Sequence, residues 1–149
     1  THALRTCPHD PILAASGTLG PKLRQGDRQV PEGLYTIESL NPNSAFHLSL
    51  RVNYPNAFDR ERGNDDGRSD LGSDIMIHGS NASVGCLAMG DEAAEELFVL
   101  AADTGLKNIQ LILTPVDFRI ADLPTDLPDL PAWTEELYSQ IRALHVPHP

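Results

Sequence analysis

The chain lacks any unbroken apolar run near the roughly 18 residues that a membrane helix requires, so a membrane-spanning protein is excluded. Basic residues are scarce: eleven Lys and Arg stand against twenty-one Asp and Glu, a formal net charge of −10 over 149 residues. Phosphate binding needs a clustered basic surface, and these few cations are scattered, which argues against a nucleic-acid partner. The same acidity suits solubility and weakly favours cationic or zwitterionic peptides over polyanions. Cysteine is equally sparse. Cys7 and Cys86 are the only two, and no Cys-x-x-Cys or His-x-x-x-His pair accompanies them, so a metal site lacks its ligands and none is expected. The glycines around Gly20 and Gly26 have no Gly-Lys-Ser/Thr after them, which removes a phosphate-binding loop. No repeat, low-complexity tract or linker composition appears, so residues 1–149 read as one domain, with 1–16 as an irregular or edge segment leading into it. Thr1 is followed by neither a basic n-region nor an apolar h-region, so the expectation is that an export signal has been removed or that the chain is trimmed.

What the chain does have is a dense set of breakers followed by short apolar segments. From Gly17 to Gly33 the glycines and prolines demand turns around Lys22 and Asp27. Leu34–Leu40 reads as a strand, Asn41-Pro42-Asn43 as a turn, and the next strand begins at Ala45. There Phe46, Leu48, Leu50 and Val52 alternate with His47, Ser49, Arg51 and Asn53, a sheet with one core-facing side. Tyr54–Asp74 has the composition of a long surface loop. Ile75–His78 is a short strand that stops at Gly79, and such ends commonly open onto clefts. Asp91–Thr104 is the clearest helix, with Ala94, Leu97, Phe98 and Ala101 on one face, acids in its first turn and Gly105 to end it. A buried strand over Ile109–Val116 and a last helix from Ala132 to Leu144, anchored by Trp133, Leu137 and Ile141, complete a mostly β domain with two helices.

The segment His78-Gly-Ser-Asn-Ala-Ser-Val-Gly-Cys86 carries the chemistry. A thiol acts as a nucleophile when ionised, and an imidazole and a helix N-terminus both favour that state, so Cys86 is a candidate nucleophile and His78 its base. Gly85 lets a ligand approach the backbone, and the amides of Gly85 and Cys86 are placed to face a developing oxyanion. Ser83 is positioned to orient substrate or donate a third hydrogen bond. The competing reading makes Cys86 a small buried hydrophobe and His78 a satisfied strand-end histidine. Spacing alone leaves both open. Cys7, with no glycine turn or helix after it, reads as structural or incidental. The terminal His2, His9, His145 and His148 read as solvated, and His47 and Arg51 share the polar strand face, where Arg51 can meet an anionic group.

In order, these residues resemble the YkuD-type L,D-transpeptidases, in particular their YafK-like branch. The family hallmark is His-Gly followed by Ser-x-Gly-Cys, matched here by His78-Gly79 and Ser83-Val84-Gly85-Cys86. Gly20-Pro21-Lys22, Gly26-Asp27, Pro31-Glu32-Gly33-Leu34-Tyr35 and Tyr54-Pro55-Asn56 with Asp59 are similar to further segments of that branch, and the likeness runs from about Ser16 to His148. Val84, Ser80-Asn81 and Val116-Asp117 depart from the usual residues. The resemblance implies an α+β, mainly β, L,D-transpeptidase-type sandwich or barrel with a helix after the cysteine and another at the C-terminus. It implies catalysis by Cys86 and His78 with Gly79, Ser83 and Gly85, and Lys22, Tyr54 and Arg51 nearer to substrate than to core. The implied reaction forms a Cys thioester on peptidoglycan stem tetrapeptides and passes it to an amine, making a 3-3 crosslink or attaching another molecule, with no cofactor. Hydrolysis at the same site (a carboxypeptidase, or an amidase releasing a wall-linked envelope protein) and a non-catalytic wall-binding module are the alternatives. The implied location is the periplasm or cell envelope.

Overall fold

The computed structural model describes residues 11–127 and 129–144. Its strands are β1 (Gly33–Tyr35), β2 (Ile37–Ser44), β3 (His47–Val52), β4 (Met76–His78), β5 (Leu87–Ala88) and β6 (Leu111–Leu113), and its helices are α1 (Ala57–Asp65), α2 (Asp91–Thr104) and α3 (Thr134–Leu144). β2, β3, β4 and β5 form one sheet in that spatial order, antiparallel except for the parallel β4–β5 pair, while β1 and β6 pair antiparallel as a second sheet. Residues before β1 add an edge to the larger sheet: Leu13 N–H donates to Ala88 O at 2.8 Å, and Ala88 N–H to Ala14 O at 2.9 Å.

Period-2 alternation decides which face of the larger sheet meets the core. Leu40, Leu50, Ile77 and Leu87 are register partners across four strands and belong to one apolar cluster with Val52, Ile75, Tyr35 and Tyr54. Leu97, Phe98 and Ala101 of α2 pack on this cluster, as their helical spacing predicts, and Gly105 N–H closes the helix on Ala101 O at 3.0 Å. Tyr138 and Ile141 of α3 are wholly enclosed with Leu137 in a second cluster, against Phe58, Leu130 and Trp133, and Trp133 itself is half-buried. The α+β class with a sheet-built core is as the sequence implies.

Four boundaries differ from the sequence expectation, each for a local reason. The expected Asn41–Asn43 turn lies inside β2, which runs to Ser44 through a register shift; Pro42 is tolerated because β2 is an edge strand, and the reversal falls at Ala45-Phe46. Phe46, expected in the core, is therefore 50% exposed. The expected 54–74 loop contains α1, a helix without an apolar stripe. It starts on a capping box, in which Asn56 accepts from Asp59 N–H and the Asp59 carboxylate accepts from Asn56 N–H. Finally, the expected Leu34–Leu40 strand breaks at Thr36 into β1 and β2 of different sheets, and the 109–116 strand is paired only over Leu111–Leu113.

Candidate active site

β4 is the platform of the site. Two strained residues bracket it, Asp74 at φ 59° and Ser80 at φ 66°, backbone angles that non-glycine residues adopt at a cost of about 1 kcal/mol or more. His78 ends the strand and is 2% exposed. Its Nδ1 lies 2.5 Å from Gly79 O. A carbonyl only accepts, so Nδ1 carries a proton, which in a neutral imidazole leaves the lone pair on Nε2. Phe46 covers the ring with its centroid 4.7 Å away, which explains why the hairpin tip is apolar at an exposed position. Gly79 has no room for a side chain: a Cβ there would stand 2.5 Å from Asp91 Oδ1 and 2.6 Å from Phe46 O.

Cys86 immediately precedes β5, whose parallel register sets Ala88 beside His78 and so carries Cys86 to the level of Met76. Two residues along a strand is about 6.6 Å, the offset that this register sets between the Cys86 and His78 positions along the paired segments. In this conformation the sulfur is turned onto the backbone at the start of β4. Sγ accepts from Met76 N–H at 3.4 Å and donates to Asp74 O at 3.5 Å, and among the described residues no hydrogen bond joins it to His78. Cys86 is half-buried and its neighbour Val84 is 69% exposed, so the sulfur is not sealed in hydrocarbon. The expected helix N-terminus next to the thiol is displaced: β5 intervenes, and the first turn of α2 meets Ser80 instead, with Asp91 Oδ1 accepting from Ser80 N–H at 2.9 Å.

Both amides expected at an oxyanion are occupied by serine hydroxyls. Gly85 N–H donates to Ser16 Oγ at 2.6 Å, and Ser16 in turn donates to Arg28 O at 2.6 Å. Cys86 N–H donates to Ser83 Oγ at 3.1 Å, while Ser83 donates to Cys86 O at 2.6 Å. Ser83, expected to orient substrate or donate a third hydrogen bond, is thus bonded to both polar groups of the Cys86 peptide. Ser16 was not legible as a site residue, because 69 positions separate it from Gly85.

Lys22 and Tyr54, expected nearer to substrate than to core, are both buried. The Lys22 side chain is 5% exposed and pairs with Asp27 Oδ1 at 2.6 Å. Burial opposes ionisation of Asp27, but Lys22 and the N–H groups of Arg24, Leu23 and Gln29 outweigh it and hold its carboxyl below the usual range. Tyr54 is buried in the core cluster and donates to Leu71 O at 2.7 Å. Gln25 N–H donates to Asp70 O at 3.0 Å, and Arg68 Nη1 to Leu23 O at 2.5 Å. Together these contacts strap the 68–74 loop, and with it the Asp74 carbonyl that holds the sulfur. Arg51, the third expected substrate contact, stands level with Met76 and is partly exposed, but Asp74 at 2.7 Å and Glu38 at 3.3 Å match its charge.

Glu32 is buried and Asp59 half-buried, and Tyr35 Oη donates toward Glu32 O and the Asp59 carboxylate. Glu32 accepts from Gly20 N–H at 2.9 Å and from Tyr138 Oη at 2.6 Å, linking the N-terminal segment to α3. Burial pushes the Glu32 carboxyl up and that of Asp59 to about 6, against the hydrogen bonds that Asn56 and Tyr35 donate to Asp59. Among the described residues no group of three or more His, Cys, Asp or Glu converges as a metal site needs, and no helix is long and apolar enough to cross a membrane. Cys7 and the terminal histidines lie outside the described residues.

Residues 8–115 match the family model of the YkuD L,D-transpeptidase catalytic domain. The chain is 37% identical over 116 residues to the YafK proteins of Escherichia coli K12 and O157:H7, a match that covers 74% of this chain and 44% of theirs. It therefore spans less than half the length of these relatives. Among solved structures, it resembles the helical cell shape determining protein Pgp2 of Campylobacter jejuni (26% identity, TM-score 0.49, covering 60% of this chain and 33% of that one). Bd1075 of Bdellovibrio bacteriovorus is similar at 24% identity and a TM-score of 0.44, covering 59% and 34%.

Proposed function

The chain belongs to the YkuD family of L,D-transpeptidase catalytic domains, and from that premise we propose that it is a cysteine acyltransferase of the cell envelope acting on peptidoglycan stem peptides. The observation that carries the reading is the contact between His78 Nδ1 and Gly79 O: a carbonyl only accepts, so Nδ1–H is committed there, and in the neutral imidazole the lone pair of Nε2 is the one free to take a proton. A rotation about the Cα–Cβ bond of Cys86 moves its sulfur off the Asp74 carbonyl, and Nε2 takes the S–H proton. The thiolate then attacks the carbonyl carbon at the L-centre of the diamino acid in a stem tetrapeptide. Collapse of the tetrahedral adduct forms the thioester and breaks the C–N bond to the terminal D-alanine, whose amine receives the proton from the imidazolium. An acceptor amine attacks the thioester next, loses its proton to His78 and releases the thiol. Gly85 and Cys86 amides serve the oxyanion only where the carbonyl oxygen shares or replaces the serine hydroxyls they now hold.

Intact-mass spectrometry after incubation with purified muropeptides tests each part. The expected record is a Cys86 thioester and a crosslinked product, both abolished by Cys86→Ala, with acylation slowed about 100-fold or more in His78→Ala while the fold persists. Full turnover by Cys86→Ala sinks the nucleophile, and acylation of His78→Ala at the parent rate sinks the base. Products that gain only water, with no crosslinked species, convert the assignment to a hydrolase on the same sulfur.

A further inference from the structure

The reversal between β2 and β3 carries an apolar side chain at a position open to solvent. Phe46 is 50% exposed, yet its ring lies on that of His78, 4.7 Å between centroids with the planes 31° apart. The backbones meet beside the rings: Gly79 N–H donates to Leu48 O at 3.2 Å, and the missing Cβ of Gly79 is what admits Phe46 O and Asp91 Oδ1 so close to it. The hydrogen bond at Nδ1 holds one edge of the imidazole, but the Cβ–Cγ torsion of a histidine is broad, so a single contact leaves the ring free to rock. An aromatic ring stacked on its face opposes that motion and favours one orientation by about 2- to 10-fold.

The hairpin tip is itself held from outside the hairpin. His47 follows Phe46 at φ 75°, a left-handed backbone that a non-glycine residue keeps only where its surroundings impose it. His47 Nε2 lies 2.6 Å from Glu95 Oε1 of α2, across 48 positions of sequence. An ionised carboxylate only accepts, so His47 Nε2 carries a proton and donates it. The two side chains are 42% and 57% exposed, so their pair adds little stability, and its effect is to set where the tip sits. The same helix braces the far side of the imidazole's strand end through Asp91 Oδ1, which accepts from Ser80 N–H at 2.9 Å.

We propose that Phe46 is a positioning residue for His78, with the His47–Glu95 pair as the strut that keeps its ring on the imidazole. The inference rests on the reading of His78 as the base. With the ring held, the Nε2 lone pair keeps one direction, and the S–H proton of Cys86 has a fixed acceptor to meet. With the ring released, Nε2 samples several directions and the transfer slows, because proton transfer tolerates little displacement of the reacting pair.

Turnover and ring position are read separately. D-Alanine release from a stem tetrapeptide should fall about 2- to 10-fold in kcat in Phe46→Ala with KM little changed, and Phe46→Tyr, which restores the ring, should recover most of the rate. Glu95→Ala should lose about 2- to 3-fold by itself and nothing further in the Phe46→Ala background, because the pair acts through the ring. A rise in KM as large as the fall in kcat, no recovery in Phe46→Tyr, or additive losses in the double variant mark a general structural role and overturn the proposal. Proton NMR follows the Hδ2 and Hε1 signals of His78, assigned by their loss in His78→Ala. A phenyl ring on the imidazole face shields them, so both should move downfield in Phe46→Ala, less in Glu95→Ala, and return in Phe46→Tyr. That pattern supports the positioning whatever the turnover of His78→Ala, and signals unmoved by Phe46→Ala overturn it even where His78 proves to be the base.

Discussion

Ser83 spends one hydroxyl on both polar groups of the Cys86 peptide, accepting from its N–H and donating to its C=O. A bracket of this kind fixes where the Cys86 Cα–Cβ bond points, and displacement of a reacting atom by 1 Å costs up to about 100-fold in rate. Ser83→Ala is therefore expected to slow acylation of Cys86 about tenfold with little change in KM, read by stopped-flow with a thiol-reactive acyl donor. An unchanged acylation rate rejects a positioning role. The Ser-x-Gly-Cys spacing made this serine visible in the sequence, but as a donor to substrate. Its bonds to the Cys86 peptide follow from its place just before the bend at 84–86, where a serine hydroxyl reaches the backbone of the residue three positions on.

At the scale of elements, the 68–74 loop is the piece on which the sulfur position depends, since its last residue supplies the carbonyl that Sγ meets. Gly72 has φ +89°, and a Cβ on it would lie 2.9 Å from Gln25 Oε1 and 3.1 Å from Lys22 Cε, so glycine answers both the backbone angle and the close approach to the Lys22–Asp27 turn. Gly72→Ala is expected to cost about 1–3 kcal/mol in urea unfolding and to raise hydrogen exchange across residues 68–74. Exchange that stays at the parent level there removes the strap from the account. Lys22 and Tyr54 act through this loop, which is how residues of a site-like motif come to be buried. The α1 boundary was present in the sequence as Asn56-x-x-Asp59, a capping pair read as part of a loop because no apolar stripe followed it.

The whole molecule binds protons more tightly at Asp59 than an unfolded chain does, since its folded pKa is raised from 3.8 to about 6. A raised carboxyl contributes stability that is present below about pH 4 and is lost as pH rises through about 6. Asp59→Asn carries no such penalty, so its Tm relative to wild type is expected to climb between about pH 4.5 and pH 7.5, by an amount equivalent to at most about 3 kcal/mol. Glu32, also raised, is common to both proteins and cancels in that difference, and a pH-independent difference between the two removes Asp59 as its source. Read from sequence alone, α2 came out whole, because fourteen residues of helical periodicity with acids at one end and glycine at the other are a local signal. Cys86 and His78 were legible as a candidate pair for the same local reason, because a thiol, an imidazole and two glycines fall within nine positions. The parallel β4–β5 register, the Asp74 carbonyl on the sulfur and the Ser16 hydroxyl on the Gly85 amide were decided only by tertiary structure. Each is a meeting of segments whose separation along the chain carries no local energy and leaves no pattern, so it exists only once the sheet has brought them together.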